Sequence, residues 1–420
     1  MKNHLQLFLC AVAVATCVTL CACSDDPDAP QEKASSVPLT SAQREIATKS
    51  ADFTNNLFNA TSQLYGDKNF IISPLGASMT LSMIANGAEG NTQKEILGAM
   101  GIAENDIECL NSLNKQLLKE LAPCSLCDIR TGNSFWYNNQ QQPALILKPE
   151  FKEVLTDSYN ADIFGVSKDE FIQAANNWIA RQVAVAPSGF LNPEDADDFG
   201  MSFFSTLDFN AKWDKTGGLT PTKLNFHNAN GTSREIDALL HEQCEIAWST
   251  GFCYIVDLPY KGYQCFLRII YPYEGVSVDE CLSQYKEWLA DPKNKYYYRF
   301  GLDMLSFNTY FPKLDFTSDV NLIPMLKQMG IEDLFDKDKC RRSGIALDGN
   351  GLITVLKQQT KIKVDEKGTV AQSVTQGSGP LGSAVPHPIP KDLKIERPFA
   401  FEIYESSTGV SLLQGRINNL

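Results

Sequence analysis

The side chains able to do acid–base, nucleophilic or metal chemistry are few and poorly spaced for it. Apart from His4, the histidines are His227, His241 and His387. His241-Glu242-Gln243-Cys244-Glu245 opens like a zinc-protease motif but lacks the second histidine. It also lies in a stretch that reads as strand, where residues four apart do not converge as they do on a helix. No Gly-x-Ser-x-Gly elbow occurs. Gly377-Ser378-Gly379-Pro380 lacks the strand–turn–helix setting that a phosphate loop or a dinucleotide fingerprint needs. Cys124-Ser125-Leu126-Cys127 has redox or zinc spacing, but no second pair and no paired histidines accompany it, so it reads as a local disulfide or two free thiols. The sequence therefore predicts no catalytic residue, no metal and no cofactor, and the chain is expected not to be an enzyme.

What remains is a stretch on which chemistry can be done. Val364 to Ile395, VDEKGTVAQSVTQGSGPLGSAVPHPIPKDLKI, begins as a strand and then loses all periodicity. Long structureless loops inside compact domains are uncommon and usually functional. Alternate residues from Thr369 are Thr369, Ala371, Ser373, Thr375, Gly377, Gly379 and Leu381, all small but the last. Successive strand side chains face opposite ways. A strand with one face this small can enter a crowded interior without overpacking it. Val370, Gln372, Val374 and Gln376 then face outward.

The elements that must hold this loop read as mixed α/β. Ser41 to Leu64 has helical spacing. Asn69-Phe70-Ile71-Ile72-Ser73-Pro74 is a short strand ending at a cap, and Leu75 to Ala85 is apolar nearly all round, as in a buried helix. Asn86 to Thr92 punctuates it before a helix from Gln93 to Met100. Residues 129–138 and Met201 to Trp213 suit strands. Lys148 to Asn160, Glu170 to Val183 and Val276 to Leu289 suit helices. Gly251 to Pro272 holds two strands, Asn308 to Phe316 is one strand, Leu322 to Phe335 is helical, and Phe399 to Tyr404 with Val410 to Ile417 makes a hairpin.

Asp365-Glu366-Lys367-Gly368-Thr369-Val370-Ala371 resembles the hinge of a serpin reactive-centre loop. Asn-x-x-x-Ser-Pro with the buried helix and Gly-Ala-x-Gly-Asn-Thr resembles the serpin shutter region. The strand ending at Trp213, the Asp257-Leu-Pro-Tyr-Lys-Gly262 turn (Asp257 where the family has glutamate), Phe311-Pro312-Lys313-Leu314, Pro398-Phe399 and Gln414-Gly415-Arg416-Ile417-Asn418 are all similar to that family, in its order. The resemblance covers residues 41–420, a single domain with its loop at about 366–395. It implies three β-sheets, about nine helices and an exposed reactive-centre loop.

Residues 1–22 read as a signal peptide, with Lys2 as the basic start and an apolar run from Leu5 to Leu20. Leu20-Cys21-Ala22-Cys23 resembles a bacterial lipobox with Cys23 as the lipid-bearing residue. Ser24-Asp25-Asp26 resembles the acidic tract of some surface lipoproteins. Residues 23–40 then form a polar tether. Such a chain is exported and anchored by acyl chains at the outer membrane, on its surface or periplasmic side, or is extracellular. Loss of residues 1–22 makes the formal charge one unit more negative than −13, which argues against nucleic acid as a partner. Eight cysteines remain beyond Cys23, and in an exported protein they can pair.

The resemblance implies a monomeric suicide inhibitor of serine endopeptidases, with papain-like cysteine proteases as a second class. A target protease attacks the loop and forms a covalent acyl complex; the loop then inserts into the central sheet and distorts the enzyme. The hinge would be Glu366, Gly368, Thr369, Ala371, Ser373 and Thr375. Trp213 caps the entry point, and Lys313 pairs with Glu366. At the shutter the family's second serine, its asparagine and its histidine are matched by Gly76, Ser205 and Gln358; Ser73, Ser205 and Gln358 are expected to satisfy one another. Counting forward from Glu366 puts the reactive bond at Gly382–Ser383, flanked by Leu381 and Ala384. Counting back from Pro398-Phe399 lands on His387–Pro388, which most proteases cannot cut. Small residues suit elastase-like targets, and Leu381–Gly382 is the alternative bond for a chymotrypsin-like one. The competing reading is a non-inhibitory surface binding module, or a mere protease substrate, on the same fold. The small inward hinge residues speak for inhibition.

Overall fold

A computed structural model of the chain describes residues 36–420 apart from 125–126, 184–189, 198, 216, 245–246, 291–296, 299–306, 347–352, 354–355, 371–376 and 379–388. Its central sheet has six strands, in the order Leu314–Asn321, Lys357–Val364, Gly368–Val370, Met201–Lys212, Cys127–Asn138, Ala161–Val166. All neighbours are antiparallel except the last pair. Lys357–Val364 shows why one register holds: Gln358, Thr360, Ile362 and Val364 are buried, and the residues between them are not. A slip of one residue would turn that whole set to solvent.

Behind it lies a second six-stranded sheet: Phe70–Ile72, Ser411–Ile417, Phe399–Glu405, Cys265–Pro272, Cys253–Pro259, Ala247–Ser249. Ser411–Ile417 and Cys265–Pro272 are buried along their whole length, because both faces are covered. A charged cluster is buried with them. Arg268 donates twice to Asp257 across the ladder, each at 2.8 Å, and Tyr404 donates to the same carboxylate at 2.5 Å. Asp257 thus holds the arginine despite being one methylene shorter than the glutamate expected there. Burial pushes the nearby Glu402 carboxyl up, against the pull of Arg268.

The third sheet has four strands, Asp392–Lys394, Phe307–Pro312, Ser233–Cys244 and Thr220–His227, and a two-residue pair joins Tyr297–Tyr298 to Gly377–Ser378. Eight α-helices occur among the described residues: Ser41–Tyr65, Pro74–Ala85, Gly90–Ala99, Ile107–Glu120, Pro149–Tyr159, Lys168–Gln182, Val278–Ala290 and Ile323–Gln328. Thr40 starts the first with a capping box to Gln43. Every residue of Pro74–Ala85 is buried, as its all-round apolar sequence requires.

Three expectations need correction. Asn308 to Phe316 is not one strand. The ladder of the third sheet runs to Pro312, opposite Ala238, and Lys313 N–H still donates to Asp237 O at 3.0 Å; the chain then enters the central sheet at Leu314, with Lys313 at the crossing. Leu322 to Phe335 is not one helix. It stops at Gln328, where Ile331 N–H turns back to Leu326 O at 2.9 Å, and resumes as a short 3₁₀ turn over Asp333–Phe335. The stretch read as a tether up to residue 40 is packed at its end. Val37 and Leu39 belong to the main core, and Val37 N–H donates to Ser407 Oγ at 2.7 Å.

Candidate functional site

The site begins where Lys357–Val364 ends. Asp365 to Gly368 is a tight turn, closed by Asp365 N–H to Gly368 O at 3.0 Å and braced by Lys367 N–H to Asp365 Oδ1 at 2.9 Å. It is pinned from outside. The Trp213 indole donates to Asp365 O at 2.9 Å, Trp213 N–H to Lys367 O at 3.3 Å, and Leu219 N–H to Glu366 O at 2.7 Å. The indole stacks on Tyr260 at 4.7 Å and meets Phe311 edge-on at 6.0 Å. Trp213 is therefore both core and clasp, compatible with the place expected of it at the loop's entrance.

Past the turn the chain runs back as Gly368–Val370, between two longer strands and paired with both. Gly368 faces Lys212 and Thr369 faces Ala211 on one side; Thr369 faces Val364 and Val370 faces Lys363 on the other. Gly368 has no alternative here: a Cβ would stand 2.0 Å from Ala211 O. Thr369 is buried, its hydroxyl directed toward that of Tyr260 without closing a regular hydrogen bond. Lys313 Nζ donates to Glu366 Oε2 at 2.7 Å, so the expected ion pair is present. The lysine contact holds the Glu366 carboxyl below its ordinary value.

Below Thr369 the flanking strands separate. Among the described residues Met201–Lys212 and Lys357–Val364 share no ladder; one bridge, Met201 to Ile353, ties their region at the far end. A cleft between them is lined by Phe204, Ser205, Leu207, Gln358 and Thr360. Ser205 to Asp208 are accordingly only half-buried, although Met201 to Phe204 before them and Phe209 after them are buried.

At the floor of that cleft the expected three-way contact does not form. Gln358 engages Ser73 through its backbone alone: Ser73 N–H donates to Gln358 Oε1 at 3.0 Å, and Gln358 Nε2 donates to Ser73 O at 2.7 Å. The Ser73 hydroxyl is occupied elsewhere, capping Gly76 N–H at 3.1 Å and donating to Leu412 O at 2.8 Å. Ser205 Oγ donates to Asn133 Oδ1 on the neighbouring strand at 2.8 Å, and Asn133 Nδ2 donates to Tyr159 O at 2.8 Å. Asn133 was not singled out from the sequence; it is the direct cross-strand partner of Ser205. Gly76 and Gln358 fit as a pair. A Cβ at Gly76 would lie 3.3 Å from Gln358 Nε2, so the missing side chain leaves room for the longer amide.

Two of the enzyme-like residues meet. His241 Nδ1 lies 3.1 Å from Cys244 Sγ, a Cys/His pair that the sequence does not announce. Burial pushes the thiol up to about 11 and, with Lys215, the imidazole down to about 4. Both groups are therefore neutral at ordinary pH, the opposite of an activated thiolate beside an imidazolium. His227 is exposed and bonded to Ser233 Oγ at 2.8 Å. No cluster of three or more metal-ligating side chains occurs among the described residues. Cys23, Ala371, Ser373, Thr375, Leu381, Gly382, Ser383, Ala384 and His387 lie outside them.

Comparison with known proteins gives one consistent result. The family model described as "Serpin (serine protease inhibitor)" matches residues 48–420. A "Serine protease inhibitor" of Cyanea capillata is 26% identical over 84% of this chain and 93% of its own length. "Plasminogen activator inhibitor 1" of Neovison vison is 26% identical over 89% and 92%. The thermophilic serpin tengpin in its native state superposes with a TM-score of 0.76 at 23% identity, over 94% of this chain and 98% of that one. Thyroxine-binding globulin in complex with thyroxine superposes with a TM-score of 0.74 at 19% identity, over 89% and 99%.

Proposed function

Because the chain belongs to the serpin family and has its fold, we propose that it inhibits serine endopeptidases by letting them cleave its loop and then inserting that loop into the central sheet. The observation that carries this is the strand Gly368–Val370, already hydrogen-bonded between Lys357–Val364 and Met201–Lys212 at the top of an otherwise parted sheet. In the inserted state, the same register would set Ala371 beside Phe209 and Ile362, Ser373 beside Leu207 and Thr360, and Thr375 beside Ser205 and Gln358. Each inward residue is small, and each neighbour lines the cleft or the core. Insertion of a strand there completes two ladders and covers Ser205 to Asp208, which is the driving energy. Until the loop is cut, its far end is tethered at Asp392–Lys394 in the third sheet. Cleavage releases that tether, so the stored energy is spent only after attack.

Gly382–Ser383 is the bond we assign, which favours elastase-like targets, with Leu381–Gly382 for chymotrypsin-like ones and papain-like cysteine proteases as a further class. The N-terminus is read as a signal and a lipid-bearing Cys23, which would tether a monomeric inhibitor to a bacterial outer membrane, on its surface or periplasmic side, or leave it extracellular. Several of the curated relatives are named as protease inhibitors. The test is a denaturing gel after mixing with an elastase-like protease. A complex that survives denaturant supports inhibition. Complete cleavage without a complex supports the substrate or binding-module reading instead.

A further inference from the structure

All eight cysteines beyond the N-terminal segment are thiols in this structure, yet two pairs, Cys127 with Cys265 and Cys253 with Cys281, are in side-chain contact, and the first of them stands at the loop's entrance. Cys127 begins the strand Cys127–Asn138 of the central sheet, and Cys265 begins Cys265–Pro272 of the sheet behind it. Their sulfurs are 3.8 Å apart and both residues are buried. The position within the fold is specific. Thr369, Ala211 and Cys127 stand in one row across the central sheet, so the thiol pair lies two strands from the first inserted side chain. Tyr260, which stacks on Trp213, donates its N–H to Cys265 O at 2.9 Å.

We propose that Cys127 and Cys265 form a disulfide that staples the central sheet to the sheet behind it at the loop's entrance. A disulfide needs the sulfurs at about 2.05 Å, within reach of small side-chain adjustments from contact distance. Cys124 is the competing partner for Cys127, since the two exchange backbone hydrogen bonds at 2.9 and 3.2 Å. Its sulfur, however, turns to Gln264 Oε1, 3.8 Å away. In the oxidation the two thiols lose two protons and two electrons, and a disulfide donor is reduced to two thiols. The reading above supplies such a donor through export, and the bond rests on that reading only for its oxidant. Burial pushes the Cys265 thiol well above its ordinary value, so it forms little thiolate once the layers have closed. The bond is therefore made as the chain folds.

Its consequence follows from the strand ladders. Cys127–Asn138 is paired to Met201–Lys212 along its whole length, so the two move as one block when the cleft widens. Cys265–Pro272 is paired to Phe399–Glu405 in the other layer. The staple fixes the top of the moving block, where Gly368–Val370 has already parted the sheet, and leaves the lower half free. It also closes a loop of 138 positions, and long loops constrain the unfolded chain most. The neighbouring pair Cys253 and Cys281 joins a strand and a helix outside the moving block and serves as a control.

The test is to unfold the protein, refold it in a glutathione redox buffer, block remaining thiols and map peptides without reduction. We expect a peptide containing Cys127 joined to one containing Cys265, lost in Cys265→Ala, and an unfolding midpoint a few degrees above that of the reduced protein. The rise should persist in Cys253→Ala. Eight blocked thiols, or a Cys124–Cys127 link in the wild-type protein, overturns the proposal. A link formed on refolding but missing from protein taken from cells counts against export and leaves the staple standing.

Discussion

Lys313, at the point where the chain crosses from the third sheet to the central one, donates to Glu366 Oε2 at 2.7 Å in the turn that opens the hinge. The pair clasps two segments that must stay together for the entrance to keep its shape. Glu366→Lys replaces attraction with repulsion at that point and should promote polymers on mild heating, read on a native gel. The pH dependence has a definite sign. The folded-state carboxyl is held below its ordinary value, so the clasp is complete above the usual carboxylate range and fades as pH falls through the lowered value. Polymerisation should therefore begin at lower temperature in acid, and Glu366→Gln should remove that acid sensitivity. A mutant that stays monomeric would count against the clasp.

Thr369→Arg should turn an inhibitor into a substrate. Thr369 is buried between Ala211 and Val364, and an unpaired charge forced into that slot is costly. The loop should be cut at a similar rate while the denaturant-resistant complex disappears. Continued trapping of protease would show that the hinge begins elsewhere.

Cutting the loop should raise stability. Roughly ten net ladder hydrogen bonds at about 1 kcal/mol each amount to on the order of 10 kcal/mol. At about 1 °C per kcal/mol for a chain of this size, the unfolding midpoint should rise by about 10 °C. Comparing intact and nicked protein by thermal unfolding decides it. Equal midpoints would remove the energy source on which inhibition depends.

Intact-mass analysis of the fragment released from the complex should find Ser383 at its N-terminus. Gly382 there would move the target toward chymotrypsin-like enzymes. Pro388 or a later residue would refute counting from the hinge, whose length sets where the protease is carried.

Cys23→Ala should leave the protein without acyl mass and release it from the membrane fraction. An unacylated wild-type N-terminus at any other residue would rule the lipid anchor out.

What the sequence determined by itself was whatever depends on neighbours along the chain. The all-round apolar run of Pro74–Ala85 made a helix that had to be buried, alternation in Lys357–Val364 gave that strand one inward face, and Gly368 with Thr369 supplied the two residues that the narrow start of the cleft admits. The scarcity of histidine and the absence of catalytic spacing were equally local facts. The tertiary structure decided everything that depends on which strands lie side by side. Ser205 turned to Asn133 because that residue is opposite it in the ladder, 72 positions away in the chain. His241 and Cys244 meet within one strand, three positions apart, where Gln243 takes a positive φ, but it is burial by the packed layers that fixes both as neutral groups. Cys127 met Cys265, and not only its near neighbour Cys124, because two sheets stack at that point. Local patterns set backbone conformation and the face each side chain takes; partners far apart in sequence are chosen by the packing of the layers, which no short window of residues contains.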